Sequence, residues 1–270
     1  MQARAVQPGV AAEVGAALPT IIMLGAAANA FVVRVAEAMA GGGLPLDLGI
    51  GPFQLLTLFV AAHLSLGAGE PGRPKFGFLV TVATLLLVLV PSSAVSWFAL
   101  ALYAGVHAAA ATGERRQGAM LFFALAAAAL WSSVILKQLA GPVTASEAFL
   151  VGKLLGLVRA DIVQSGNVVG NPQVHSLIVM TRCTTIDALP AALVSLAGVA
   201  LFLGKPDRRR LWQAGALAGA ILLVANLVRL CAMAWSPEAY AAAHGPLGAN
   251  AFDGLQAIAI LALGNWASRP

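Results

Sequence analysis

The chain has 270 residues, 60% hydrophobic and only 10% charged, with a net charge of +5 and a mean hydropathy of +0.87. A soluble domain carries roughly 25% charged residues, so this composition excludes a water-soluble globule and places the chain in a lipid bilayer. Most of the Lys and Arg lies in short segments between apolar stretches, which gives no reason to expect nucleic-acid binding.

The apolar stretches are long and rich in Ala, Leu and Val, without the alternation over about ten residues that marks barrel strands. They predict an all-α polytopic membrane bundle forming one integral membrane domain over residues 1–270. About eight spans are expected, over approximately 16–40, 49–67, 76–91, 92–111, 118–140, 185–204, 211–235 and 249–267. The first contains Ala28-Asn29-Ala30, which has the form of a signal-peptide cleavage site. The apolar run continues through Met39, however, and reads better as a first span. Pro91-Ser92-Ser93 breaks the third span from the fourth. The long connection 141–184 is expected as a loop with an amphipathic interfacial stretch over 149–163.

Charge then sets orientation. With eight spans, one side holds Arg4, Arg73, Lys75, Arg115, Arg116, Lys205, Arg208, Arg209, Arg210 and Arg269. The other holds Lys153, Arg159 and Arg182, all in the long loop. Cytoplasmic loops are enriched in Lys and Arg, so both termini are expected in the cytoplasm of an inner-membrane protein. The 141–184 and 236–248 segments then face outward.

That topology brings three reactive residues to the outer face: Cys183 at the start of the sixth span, Arg229 near the end of the seventh, and His244 in the loop after it. His63 and His107 fall on the opposite side, and His175 is the rival histidine, set in an alternating apolar stretch. Thr184-Thr185-Ile186-Asp187 fits a capping box with Thr184 as N-cap. Cys183 would then face the positive end of a helix dipole, beside Arg182, which favours a thiolate. The alternative is a small packing residue. Arg229 in a span marks function more often than not, with Asn226 on the same face; the alternative is snorkelling to the headgroups, as expected of Lys137. His244 suits general acid/base work or a plain surface position. Asp187 caps the helix or orients His244. Cys231 points to another face than Arg229 and reads as packing, although a Cys183–Cys231 disulfide is conceivable. Arg34 and Glu37 are spaced to form an ion pair near the outer end of the first helix, the alternative being that they line the site. No paired His or Cys stands at metal-ligand spacing, and no cofactor is expected.

Three blocks carry a resemblance: Leu154 to Asp187 leading through Cys183, Asn226-Leu227-Val228-Arg229, and His244-Gly245-Pro246-Leu247-Gly248. In order and spacing they resemble the exosortase/archaeosortase family of polytopic membrane cysteine transpeptidases, over roughly the C-terminal half. The resemblance implies Cys183 as nucleophile, Arg229 as transition-state stabiliser and His244 as acid/base, with Asn226, Asp187, Thr184 and Arg182 in support. The substrates it implies are membrane-anchored exported proteins with a C-terminal signal: a short motif such as Pro-Glu-Pro, a spanning helix and a basic tail. The acceptor is left open. The family usually has Ser-Gly after the cysteine; here Thr184-Thr185 follows, which suggests an altered turn and a divergent subfamily. Two other classes fit parts of the pattern, a transporter or receptor binding an anion at Arg229 and a thiol oxidoreductase using both cysteines.

Overall fold

The computed structural model describes residues 10–40, 52–72, 74–204 and 206–269. Arg4, Arg73 and Lys205, which enter the charge argument for orientation, lie outside the described residues, as does the start of the second expected span. The chain is an all-α bundle with one small sheet, and it divides into two compact units at Ala129/Leu130.

The first unit contains α1 (Val10–Ala40), α2 (Pro52–Ser65), α3 (Gly77–Val88), α4 (Ser93–Ala110) and most of α5 (Gly113–Leu130). Polar side chains tie its helices together. Asn29 donates through Nδ2 to the Val88 carbonyl at 3.0 Å and to Ser96 Oγ at 2.9 Å, linking α1 to the end of α3 and to α4. Arg115 donates to the Gly67 carbonyl (3.1 Å) and the Ala16 carbonyl (2.9 Å). The expected Arg34–Glu37 ion pair does not form. Glu37 instead accepts from the Ser93 N–H at 3.2 Å, one of the donors that the start of α4 leaves without an intrahelical partner.

All eight expected apolar segments are helical among the described residues, but six are long enough to span: Gly15–Ala40, Ser93–Ala110, Gly113–Gln138, Thr185–Leu203, Arg208–Trp235 and Pro246–Ser268. With 14 and 12 residues, α2 and α3 extend about 21 and 18 Å, against a hydrocarbon core of about 30 Å.

The second unit corrects the expected long loop. After a π-helical turn (Trp131–Ile135) and a short α6 (Leu136–Gln138), the chain forms α7 (Ala140–Gly156). Its buried residues Thr144, Glu147, Ala148, Val151 and Leu155 follow the 3.6-residue period of a helix with one buried face. The amphipathic stretch expected over 149–163 is thus split between α7, a turn and a strand. A three-stranded antiparallel meander follows: β1 (Val163–Ser165), β2 (Val168–Asn171) and β3 (His175–Ile178), in the order β1-β2-β3. Ser165 pairs with Val168 across a two-residue turn in which Gly166 has φ 58°, the left-handed conformation that favours glycine. Val169, Leu177 and Val179 pack with Val151 and Leu155 of α7 and with Leu230, Met233 and Ala234 of α9 (Arg208–Trp235). The other helices are α8 (Thr185–Leu203), α10 (Pro237–His244) and α11 (Pro246–Ser268), so the expected 236–248 loop is largely helical.

A candidate active site at the start of α8

The chain enters the site through β3. Val179 is pinned to Asn167 by two bonds, its N–H donating to the Asn167 carbonyl (2.8 Å) and its carbonyl accepting from Asn167 Nδ2 (3.1 Å). A single 3₁₀ turn, Thr181–Cys183, then delivers the thiol. Its backbone is closed by Cys183 N–H to the Met180 carbonyl (2.8 Å) and Thr184 N–H to the Thr181 carbonyl (3.0 Å). Cys183 is half-buried against the α7–sheet–α9 core. Cys183 and Cys231 are both free thiols.

Thr184 is the N-cap of α8, as expected, but the capping box does not form. Its hydroxyl donates back to the Thr181 carbonyl at 2.7 Å. Glu147 of α7 caps the helix instead. Its Oε1 accepts from the Thr185 N–H at 2.6 Å, one of the donors exposed at a helix start. Glu147 is 3% exposed. Burial pushes its carboxyl above the usual range, opposed by the hydrogen bonds it accepts from Thr185 and Asn226. No part of the sequence reading singled it out, although an acidic residue at a core position of a helical period is a legible signal.

One further feature shapes the start of α8. Pro190 has no N–H, so the Ile186 carbonyl four residues earlier has no intrahelical donor. The Trp131 indole N–H supplies one at 3.0 Å, from the π-helical turn, and the Ser132 hydroxyl donates to the Asp187 carbonyl at 3.3 Å. The Asp187 carboxylate makes no hydrogen bond to His244 among the described residues, and Arg182 is exposed.

Asn226 links the nucleophile to α9. Its Nδ2 donates both to Glu147 Oε2 (3.0 Å) and to the Cys183 carbonyl (2.8 Å). Arg229 follows three residues later on the same face, about 4.5 Å further along the axis. Its guanidinium lies over the Phe252 ring of α11, 5.5 Å from the centroid, and its buried Nε has no hydrogen-bond partner among the described residues. Phe252 also lines an open apolar groove of about 460 Å³ with Ala220, Val224, Ala225, Val228 and Leu255.

His244 is the last residue of α10 rather than a loop residue, and it is exposed. It stacks on Tyr240 (5.1 Å between centroids, 26° between planes), and Tyr240 packs against the same core as Cys183. Gly248, in the first turn of α11, explains the spacing of the third block. A Cβ there would fall 2.2 Å from the Ala242 carbonyl, so only glycine lets α11 close against the end of α10. His175 is committed elsewhere: its Nε2 lies 2.9 Å from the Met233 carbonyl, which can only accept, so that nitrogen carries the proton and binds β3 to α9. No hydrogen bond joins His244 to Cys183 or Arg229 among the described residues. Cys183 and Asn226 are joined directly, Arg229 shares the Asn226 face of α9, and His244 stacks on Tyr240, which borders the same core as Cys183.

A sequence profile described as transmembrane exosortase matches residues 48–266, most of the chain and all three blocks. The chain belongs to the transmembrane exosortase family. It is accordingly a multi-pass membrane protein of the exosortase type. Nothing among the curated proteins or the solved structures matches it. The family match extends over α2 to α5, which the sequence had tied to exosortases only by hydrophobicity.

Proposed function

We propose that this exosortase is a membrane-embedded cysteine transpeptidase or protease that cleaves C-terminal sorting signals of exported proteins on the outer face of the membrane. The observation that carries the reading is the bond from Asn226 to the Cys183 carbonyl, which ties the Cys183 backbone to the helix that carries Arg229. In the proposed reaction His244 takes the thiol proton and the Cys183 sulfur attacks the peptide carbonyl next to the signal motif. The resulting oxyanion faces the Arg229 guanidinium, whose Nε has a hydrogen to donate. The C–N bond breaks, the leaving amine takes the proton from His244, and a thioester remains. An acceptor nucleophile, or water, then attacks the thioester and frees the thiol. The apolar groove between α9 and α11 gives the spanning helix of the substrate a place to lie beside Arg229.

The orientation does not depend on whether α2 and α3 cross. As a pair they change the side of Arg73 and Lys75 only, while Arg115, Arg116, Arg208, Arg209 and Arg210 stay with the termini. Positive charge on that side supports cytoplasmic termini and an extracytoplasmic Cys183.

Cys183→Ala, co-expressed with a reporter that ends in a short motif, a spanning helix and a basic tail, is expected to fold normally and leave the reporter uncleaved. Normal processing by this variant overturns the proposal. Tolerance of Cys183→Ala together with loss of anion binding in Arg229→Ala would instead favour a carrier or receptor.

A further inference from the structure

The buried carboxylate of Glu147 has no part in the three blocks that define the family resemblance. It nevertheless joins α7 to α8 and α9 beside the turn that carries the thiol. One oxygen accepts from the first N–H of α8 and the other from Asn226, whose remaining N–H holds the Cys183 carbonyl. Its neighbours Thr144, Ala148 and Val151 on the buried face of α7 anchor it in the core. A carboxylate is the one side chain that can accept both donors at once. Glutamine at this position would meet Asn226 with a second NH₂, and Asn226 would have to turn its oxygen toward position 147 and release the Cys183 carbonyl.

We propose that Glu147 is a positioning residue that fixes the Cys183 backbone to α9 by clamping Asn226 and the start of α8 together. The inference rests on the function proposed above for its catalytic consequence, but the placement of the thiol can be read without it. Glu147 does not touch the substrate, so its loss should lower turnover and leave substrate binding alone.

The test combines Glu147→Gln, Asn226→Ala and the double variant, purified in detergent and reconstituted with the reporter. Each single variant is expected to lower kcat at least tenfold with KM within about threefold of wild type. The double variant should be no slower than the slower single one, because the two residues act as a unit. If Glu147→Gln does not yield folded protein, Glu147→Asp replaces it; the charge is kept, but a carboxylate drawn back by one carbon cannot reach both donors. In parallel, iodoacetamide labelling read by mass spectrometry gives the alkylation rate of Cys183, with Cys231 as internal reference. A change of threefold or more at Cys183 alone is expected. A folded Glu147→Gln with wild-type kcat, multiplicative losses in the double variant, or an unchanged Cys183 labelling rate each overturns the inference. If Cys183 labelling responds while wild-type protein never cleaves the reporter, the inference stands and the proposed function falls.

Discussion

Arg229 offers the sharpest quantitative test, because its effects on activity and stability are expected to have opposite signs. Truncation to alanine removes the cation–π contact with Phe252, worth about 0.5–2 kcal/mol. It also removes a charge from a span, whose cost on insertion scales is about 2.5–3.5 kcal/mol. The buried Nε has no hydrogen-bond partner to lose among the described residues. The balance favours the variant, so Arg229→Ala should melt no lower than wild type. If the guanidinium meets the oxyanion, the same change should reduce kcat by about 10²–10³. Phe252→Ala keeps the charge but loosens its orientation; the same 0.5–2 kcal/mol corresponds to a slowing of about 2- to 30-fold. Arg229→Lys should fall between wild type and alanine, because an ammonium lacks the planar face that rests on Phe252. Reporter cleavage in proteoliposomes and thermal melting in detergent measure both quantities. An Arg229→Ala variant with kcat within threefold of wild type, or one whose activity loss merely follows a fallen Tm, refutes the reasoning.

His244→Ala is expected to slow cleavage by about 10²-fold or more, whereas His175→Ala should chiefly lower thermal stability by freeing β3 from the Met233 carbonyl; the opposite ranking would transfer the acid/base role to His175. Trp131→Phe leaves the Ile186 carbonyl without a donor and should cost about 1–3 kcal/mol, and an unchanged melting temperature would show that Pro190 needs no such compensation. Asp161 is held down to about 2, first by its hydrogen bonds with Arg159 and then by Asn171. Its folded value thus lies below its ordinary 3.8, so the tie contributes fully above that range and is lost as pH falls through about 2. Arg159 also lies 5.0 Å over the Trp235 ring, so an acid-induced change in Trp235 fluorescence is expected in wild type and absent in Asp161→Asn.

Hydrophobic runs made the spanning helices legible, because burial in lipid leaves a length signature that needs no tertiary information. The expectation that Cys183, Arg229 and His244 share one side rests on the same runs together with the loop charges. What the sequence reading missed depends on partners distant in the chain. Glu147 lies 38 residues before the N–H it accepts and 79 before Asn226. The Trp131 contact answers a carbonyl orphaned by a proline in another helix. The meander did carry a local signal, Ser165-Gly166-Asn167 between two Val-containing runs. Strands of only three and four residues are too short to stand out from a loop in the sequence pattern. Arg34 and Glu37 show the reverse error. Helical spacing allows their pair, but an unpaired N–H at the start of α4 was the better partner for the carboxylate.

Thr184-Thr185, which stands where exosortases usually carry Ser-Gly, can now be judged on geometry. A glycine is required where φ is positive or where another backbone approaches too closely for a Cβ. Neither condition holds here. Thr184 lies at φ −92°, ψ 146°, and no non-glycine residue among those described has positive φ. Thr185 is already the first residue of α8, buried, with its N–H bound to Glu147. The expected alteration of the turn is therefore not forced by the sequence difference, because the path is one that any L-residue adopts. What holds the thiol is a set of bonds on either side of that path. Cys183 N–H closes onto Met180, the Cys183 carbonyl is held by Asn226, and the next helix is tied to Glu147. A site fixed in this way tolerates a change of side chain after the cysteine more readily than a change of the carboxylate 36 residues before it.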